Sequence, residues 1–307
     1  MDWNAEIEAA RARTRGHLVK TPVLEVQGFG LDFPVEMKLE QMQHTGSFKA
    51  RGAFNTLLSR PVPAAGVVAA SGGNHGAAVA YAARRLGHPA HIFVPEIAGP
   101  SKIALIRGTG ADLTVVPGSY QNALEAARAH EAATGAMQIH AYDAPETLAG
   151  QGTVMREWEG QGLGADTVLI AVGGGGLIGG ALAWLQGRRK IVAVEPELAP
   201  TLHRALSEGP EAEVEVGGVA ANALGARRIG ALCHGLATRH GVSSVLVADA
   251  AILEARDRLW RGLRQLVEPA GATALAALIS GAYLPEPGER VAVVVCGANA
   301  APDPLET

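Results

Sequence analysis

From residue 66 onward the chain switches regularly between two hydrophobic periods. Short apolar runs at 66–70, 91–94, 113–116 and 137–139 predict buried strands. Between them, residues 74–86, 100–107 and 120–134 carry apolar positions every three or four residues and predict helices. The alternation continues with a helix over 146–159, an apolar strand over 167–172, a helix over 177–186 and a strand over 191–194. Residues 196–240 follow neither period cleanly, and 208–219 reads as a polar, exposed excursion. A strand at 245–247, helices over 249–266 and 270–280, and a last strand over 290–295 complete the pattern. Ahead of it lie a short helix at 4–15, a turn at Thr21–Pro22, extended stretches at 23–26 and 35–39, and a helix over 50–58. Strands and helices in this order predict parallel sheets covered on both faces. There is no internal repeat and no low-complexity linker.

Composition narrows the function classes. The 307 residues are 48% hydrophobic and 18% charged, enough for one large or two smaller α/β units. A net charge of −4 gives no electrostatic case for nucleic acid. No apolar run reaches membrane-spanning length, and Met1-Asp2-Trp3-Asn4 does not open a signal peptide. The two cysteines, Cys233 and Cys296, form neither a metal-ligand spacing nor a disulfide framework. The expectation is a cytoplasmic protein without a membrane or nucleic-acid partner.

Candidate chemistry lies where strands hand over to helices, the ligand-binding edge of a parallel sheet. Lys49 stands at such a junction, with Ser47 predicted as the helix N-cap. A helix N-terminus disfavours a cation, so the lysine pKa should fall and its amine become available for a Schiff base. Gly173-Gly174-Gly175-Gly176-Leu177 follows the apolar strand and opens a helix, which suits a phosphate. No P-loop lysine follows, and the match to a dinucleotide fingerprint is weak. Ser71-Gly72-Gly73-Asn74-His75-Gly76 repeats the arrangement with polar side chains and suits a carboxylate; Ser71 or Asn74 is the candidate cap. Cys296 follows the last strand. Glu268, ahead of Pro269, reads as an ordinary acid at a helix start.

Taken together, G-S-F-K-A-R-G-A, S-G-G-N-H-G, G-G-G-G-L, E-P-A-G-A and the late C-G-A-N resemble the fold type II pyridoxal-phosphate enzymes. The resemblance is strongest to the threonine/serine dehydratases and serine racemases, and the motifs span nearly the whole chain in family order. It implies a tryptophan synthase β-like α/β fold of two three-layer α/β/α domains with mainly parallel sheets. Residues 1–51 and 144–307 would form the large domain and 52–143 a small mobile one. Lys49 would bind pyridoxal 5'-phosphate as a Schiff base and then serve as base at the substrate Cα. Phe48 would pack beside the ring, Asn74 would bond its hydroxyl, Gly173 to Leu177 would hold the phosphate, and Cys296 would face the ring nitrogen. Ser71, Gly72, Asn74 and His75 would hold the substrate carboxylate. A neutral thiol does not demand a protonated ring, which favours prompt loss of a β-hydroxyl over a long-lived carbanion. The cofactor phosphate would protonate that leaving group.

The implied activity is dehydration and deamination of L-threonine or L-serine to a 2-oxo acid and ammonia by a homodimer. Serine racemase, 3-hydroxyaspartate dehydratase, a cofactor-binding protein without turnover and a nicotinamide-dependent oxidoreductase are the alternatives. Two departures bear on them. Racemases carry a serine where this chain has Gly72, so racemisation is disfavoured. Asn222 stands where cation-binding relatives have an aspartate, so no metal site is expected. The chain stops after the core, and feedback inhibition through a regulatory domain is not expected.

Overall fold

The computed structural model describes residues 1–118 and 120–300. The N-terminal part runs α1 (Trp3–Arg13), β1 (Val23–Gln27), β2 (Pro34–Leu39) and α2 (Lys49–Ser59). Next come β3 (Val67–Ala70), α3 (Asn74–Leu86), β4 (Ala90–Pro95), α4 (Pro100–Gly108), β5 (Asp112–Val116), α5 (Tyr120–Thr134) and β6 (Met137–Gln138). The chain continues through α6 (Pro145–Glu159), β7 (Thr167–Ala171), α7 (Gly176–Leu185), β8 (Lys190–Pro196), α8 (Thr201–Glu208), α9 (Ala221–Leu224) and α10 (Ala231–His240). It closes with β9 (Ser243–Val247), α11 (Asp249–Leu263), α12 (Pro269–Ser280) and β10 (Val291–Val295).

Two sheets result. One has six strands in the order β1-β2-β10-β7-β8-β9, the other four in the order β5-β4-β3-β6. Among the described residues every strand pairing is parallel except that of β1 with β2, an antiparallel edge. The apolar runs explain the burial. All five residues of β7 and of β10 are buried, as central parallel strands require. In α12, Ala270 to Leu278 are all buried, consistent with a helix whose only polar side chains are Thr273 and Ser280. Separate hydrophobic clusters sit against the two sheets.

The stretch that periodicity left open contains three helices, α8 to α10. Residues 209–219, ahead of α9, are exposed or half-buried apart from the buried Val214, so the polar excursion is only partly exposed. The helix predicted to 266 stops at Leu263, because Arg264 takes the left-handed conformation (φ 56°).

What fixes α2 is close packing and charge together. A Cβ on Gly150 of α6 would lie 2.6 Å from the Cα of Gly52, so the two helices cross backbone to backbone. Beside that crossing Arg51 makes a bidentate pair with Glu40, Nε to Oε2 and Nη2 to Oε1, both at 2.7 Å. Its Nη2 also reaches Glu157 Oε1 at 3.0 Å, and Lys38 Nζ donates to that oxygen at 2.6 Å. Arg51, Glu40 and Lys38 are almost fully buried. A buried charge persists only when paired, so this cluster ties the start of α2 to the end of β2 and to α6.

Candidate active site

The cavity is lined by residues from both parts of the chain: Phe48, Lys49 and Asn74; Ala171 and Gly173 to Leu177; Ala223 and Leu224; Glu268, Ala270 and Cys296. It thus brings together Phe48, Lys49, Asn74, the five-residue glycine segment and Cys296. Ser71, Gly72 and His75 are not among its lining residues.

Lys49 opens α2, but Ser47 is not the cap. Phe48 occupies the N-cap position without a side-chain bond, and Ser47 is extended (φ −161°, ψ 159°). The turn is strapped instead to the segment after β10. The Phe48 amide donates to the Cys296 carbonyl at 3.2 Å, and the Ala298 amide to the Gly46 carbonyl at 2.9 Å. Lys49 Nζ donates to the Ala141 carbonyl at 2.8 Å. Burial lowers the amine to about 8, while the neighbouring Cys296 and Glu268 act in the opposite direction. Desolvation, rather than the helix dipole alone, therefore accounts for the accessible neutral amine.

The glycine segment is shaped by its surroundings. The Gly173 carbonyl accepts from Thr201 Oγ1 at 2.6 Å and the Gly174 carbonyl from the Gly230 amide at 3.0 Å. Those bonds fix the peptide planes, and no helix satisfies its own first-turn amides. A Cβ on Gly173 would meet the Leu224 backbone at 2.8 Å; one on Gly174 would meet the Tyr142 ring at 2.3 Å. Only bare backbone fits there. A phosphate at this edge of α7, with a low-pKa amine across the cavity, matches the donors that pyridoxal phosphate needs.

Neither Ser71 nor Asn74 caps α3. Gly73 is the N-cap and makes no side-chain bond, while Ser71 Oγ accepts from the Gly73 amide at 3.2 Å. His75 Nε2 donates to the Ile139 carbonyl at 2.9 Å, since a carbonyl can only accept. Burial holds that imidazole down at about 3, so it stays neutral. Asn74 Nδ2 donates to Glu268 Oε1 at 2.5 Å, and Asn74 Oδ1 accepts from Asn299 Nδ2 at 2.8 Å. Cys296 Sγ donates to the Ala270 carbonyl at 3.3 Å, and burial pushes its thiol well up. It stays a neutral thiol, its proton already committed.

Glu268 is more than a helix-start acid. It is 3% exposed, lines the cavity, and burial raises its carboxyl to about 7 against the opposing pull of Asn74, Lys102 and Lys49. The signal in the sequence is its place directly before an almost wholly apolar helix, where an acid must be buried with the helix start. Tyr142 over the glycine segment and Lys102, whose buried Nζ donates to the Asn222 carbonyl at 3.3 Å, carried no local signal. Among the described residues no group of three or more His, Cys, Asp or Glu side chains could hold a metal ion, and no helix is long and apolar enough to cross a membrane.

Comparison with known proteins agrees with this geometry. A family described as pyridoxal-phosphate dependent enzyme matches residues 14–297. A phenylserine dehydratase of Ralstonia pickettii is 35% identical over 300 residues, covering 95% of this chain and 92% of that protein. An L-threonine ammonia-lyase of Geobacter sulfurreducens is 33% identical, covering 95% and 74%. The solved T.th. threonine deaminase superposes with a TM-score of 0.89 at 34% identity, covering 96% of this chain and 98% of that one. A buried lysine facing a glycine phosphate cradle, on a chain matched almost end to end, places this protein among the fold type II pyridoxal-phosphate dependent enzymes, in the company of the hydroxy-amino-acid dehydratases.

Proposed function

We propose that the protein removes water and then ammonia from a β-hydroxy amino acid, L-threonine, L-serine or both, leaving a 2-oxo acid. The observation that carries this reading is the pairing of Lys49, with its amine near 8, and a neutral Cys296 on the same cavity. Bound pyridoxal phosphate supplies an electron sink for the pair of electrons left at Cα when its proton departs. Lys49 Nζ, released from the Ala141 carbonyl, takes that proton on one face. The β-hydroxyl then leaves, the proton taken from Cα and the departing hydroxide together making up the water lost, and hydrolysis of the resulting enamine gives the 2-oxo acid and ammonia. Gly72 offers no hydroxyl for the opposite face, so elimination is favoured over racemisation. Asn74, held at both ends of its amide, keeps one N–H for the cofactor ring oxygen, and the α3 start behind it takes the substrate carboxylate.

The same reading treats residues 52–143 as a small mobile domain closing on 1–51 and 144–307, and the protein as a cytoplasmic homodimer. The relatives act on different side chains, so the assay compares L-threonine, L-serine, phenylserine and 3-hydroxyaspartate for 2-oxo acid release. Lys49→Ala should lose both the yellow absorbance of the bound cofactor and the product. Wild-type protein that binds the cofactor yet frees ammonia from none of the four would be a binding protein instead.

A further inference from the structure

We infer that Asn299 is a positioning residue for this site, one amide group that clamps both the turn ahead of Lys49 and the orientation of Asn74. Asn299 does not line the cavity, so it acts through its neighbours. Its Nδ2 donates to the Thr45 carbonyl at 2.8 Å and to Asn74 Oδ1 at 2.8 Å, which uses both amide hydrogens. On the far side of Asn74, Nδ2 donates to Glu268 Oε1 at 2.5 Å. A flipped Asn74 would set an acceptor against the Glu268 carboxyl and a donor against the Asn299 donor. The amide therefore has one orientation, with a single N–H left over.

The turn needs the other half of the clamp. Thr45 sits at φ 60°, ψ 19°, a rare place for a β-branched residue. Among the described residues, Thr45 Oγ1 and Ser47 Oγ are buried without hydrogen-bond partners, so their hydroxyls do not hold the turn there. Gly46 has φ 72°, and a Cβ there would lie 2.7 Å from Asn299 Oδ1. The Asn299 side chain is thus packed directly onto the turn that delivers Lys49.

The inference rests on Lys49 and Asn74 contacting the cofactor, and its test separates the two. Apoproteins of the wild type, Asn74→Ala, Asn299→Ala, Asn299→Asp and the double alanine variant are titrated with pyridoxal phosphate, and quenching of tryptophan fluorescence reports affinity. Each single alanine variant should bind about tenfold more weakly, the scale of one lost hydrogen bond. The double variant should fall well short of the hundredfold product, because the residues act partly as a unit. Asn299→Asp keeps the shape but sets a carboxylate against two acceptor oxygens, so it should bind no better than Asn299→Ala even where its apoprotein remains folded. Unchanged affinity in Asn74→Ala would defeat the underlying site assignment. Weakened Asn74→Ala beside a wild-type-like Asn299→Asp, or a fully multiplicative double variant, would overturn the role of Asn299 alone.

Discussion

Lys49 is an expense to the fold, and its removal should show this. Its amine falls from the ordinary 10.5 to about 8, with burial as the main cause. At about 1.4 kcal/mol per pH unit, this corresponds to roughly 3 kcal/mol lost from the folded apoprotein wherever the amine is protonated. Lys49→Met keeps the volume and removes the charge. It also forfeits the bond to the Ala141 carbonyl, which contributes about 1 kcal/mol. The net gain is about 2 kcal/mol, or roughly 4 °C in melting temperature at pH 7. The sign follows from linkage. Between about pH 8 and 10.5 the unfolded lysine holds a proton that the folded one has lost, so wild-type stability rises through that window. The advantage of Lys49→Met should therefore be full below about pH 8 and fade towards 10.5. Thermal scans of cofactor-free protein at matched rates across this range measure it. A variant that melts below wild type at pH 7, or an advantage that stays constant from pH 8 to 10.5, would refute the reasoning.

Three other outcomes are expected. Arg51→Ala leaves Glu40 buried beside an empty guanidinium site, and urea unfolding should show a loss of about 3–5 kcal/mol. Gly72→Ser would supply the missing hydroxyl, but a Cβ there would meet the Ala98 Cβ at 2.3 Å. The single variant should lose 2-oxo acid output without gaining D-serine; any racemase activity should need Ala98→Gly alongside, as chiral chromatography would report, and D-serine formed as fast as pyruvate by the wild type would reverse the one-face mechanism. Chelator treatment should leave activity and melting nearly unchanged, because the Asn222 carbonyl faces the Lys102 ammonium and its side chain carries no charge; loss on chelation that Mg²⁺ or Ca²⁺ restores would contradict this.

Periodicity located the strands and most helices because a buried parallel strand must be apolar throughout. Val168 to Ala171 and Val291 to Val295 are such runs, short and rich in β-branched residues. It failed across 196–240, where α9 spans only four residues and its neighbours are half-exposed. At the site, Lys49 and the glycines were legible because a strand–helix junction constrains which residues can stand there. Caps were not, since Phe48 rather than Ser47 holds the N-cap of α2 and Gly73 rather than Ser71 or Asn74 that of α3, which depends on how each preceding turn is placed. Asn299 and Tyr142 act across separations of 225 residues to Asn74 and over 30 to Gly174 respectively. No local pattern encodes such contacts; they exist only once the sheets are assembled.

The position of β10 gives the protein a definite order of maturation on the ribosome. This strand, made after residue 290, inserts between β2 and β7, which are made long before it. The four-stranded sheet draws only on residues 67–138 and can form while synthesis continues. The larger sheet meanwhile stays split, with β2 paired only to β1. The turn that delivers Lys49 takes its backbone partners from Cys296 and Ala298, so those straps are missing until both residues emerge. Amine labelling of stalled chains should find Lys49 reactive in those ending before Val291 and shielded in those extended far enough to free Asn299 from the exit tunnel; shielding in the shorter chains would show that the turn closes without β10. The cavity, whose lining includes Cys296, is thus among the last parts of the protein to be completed as the chain is made.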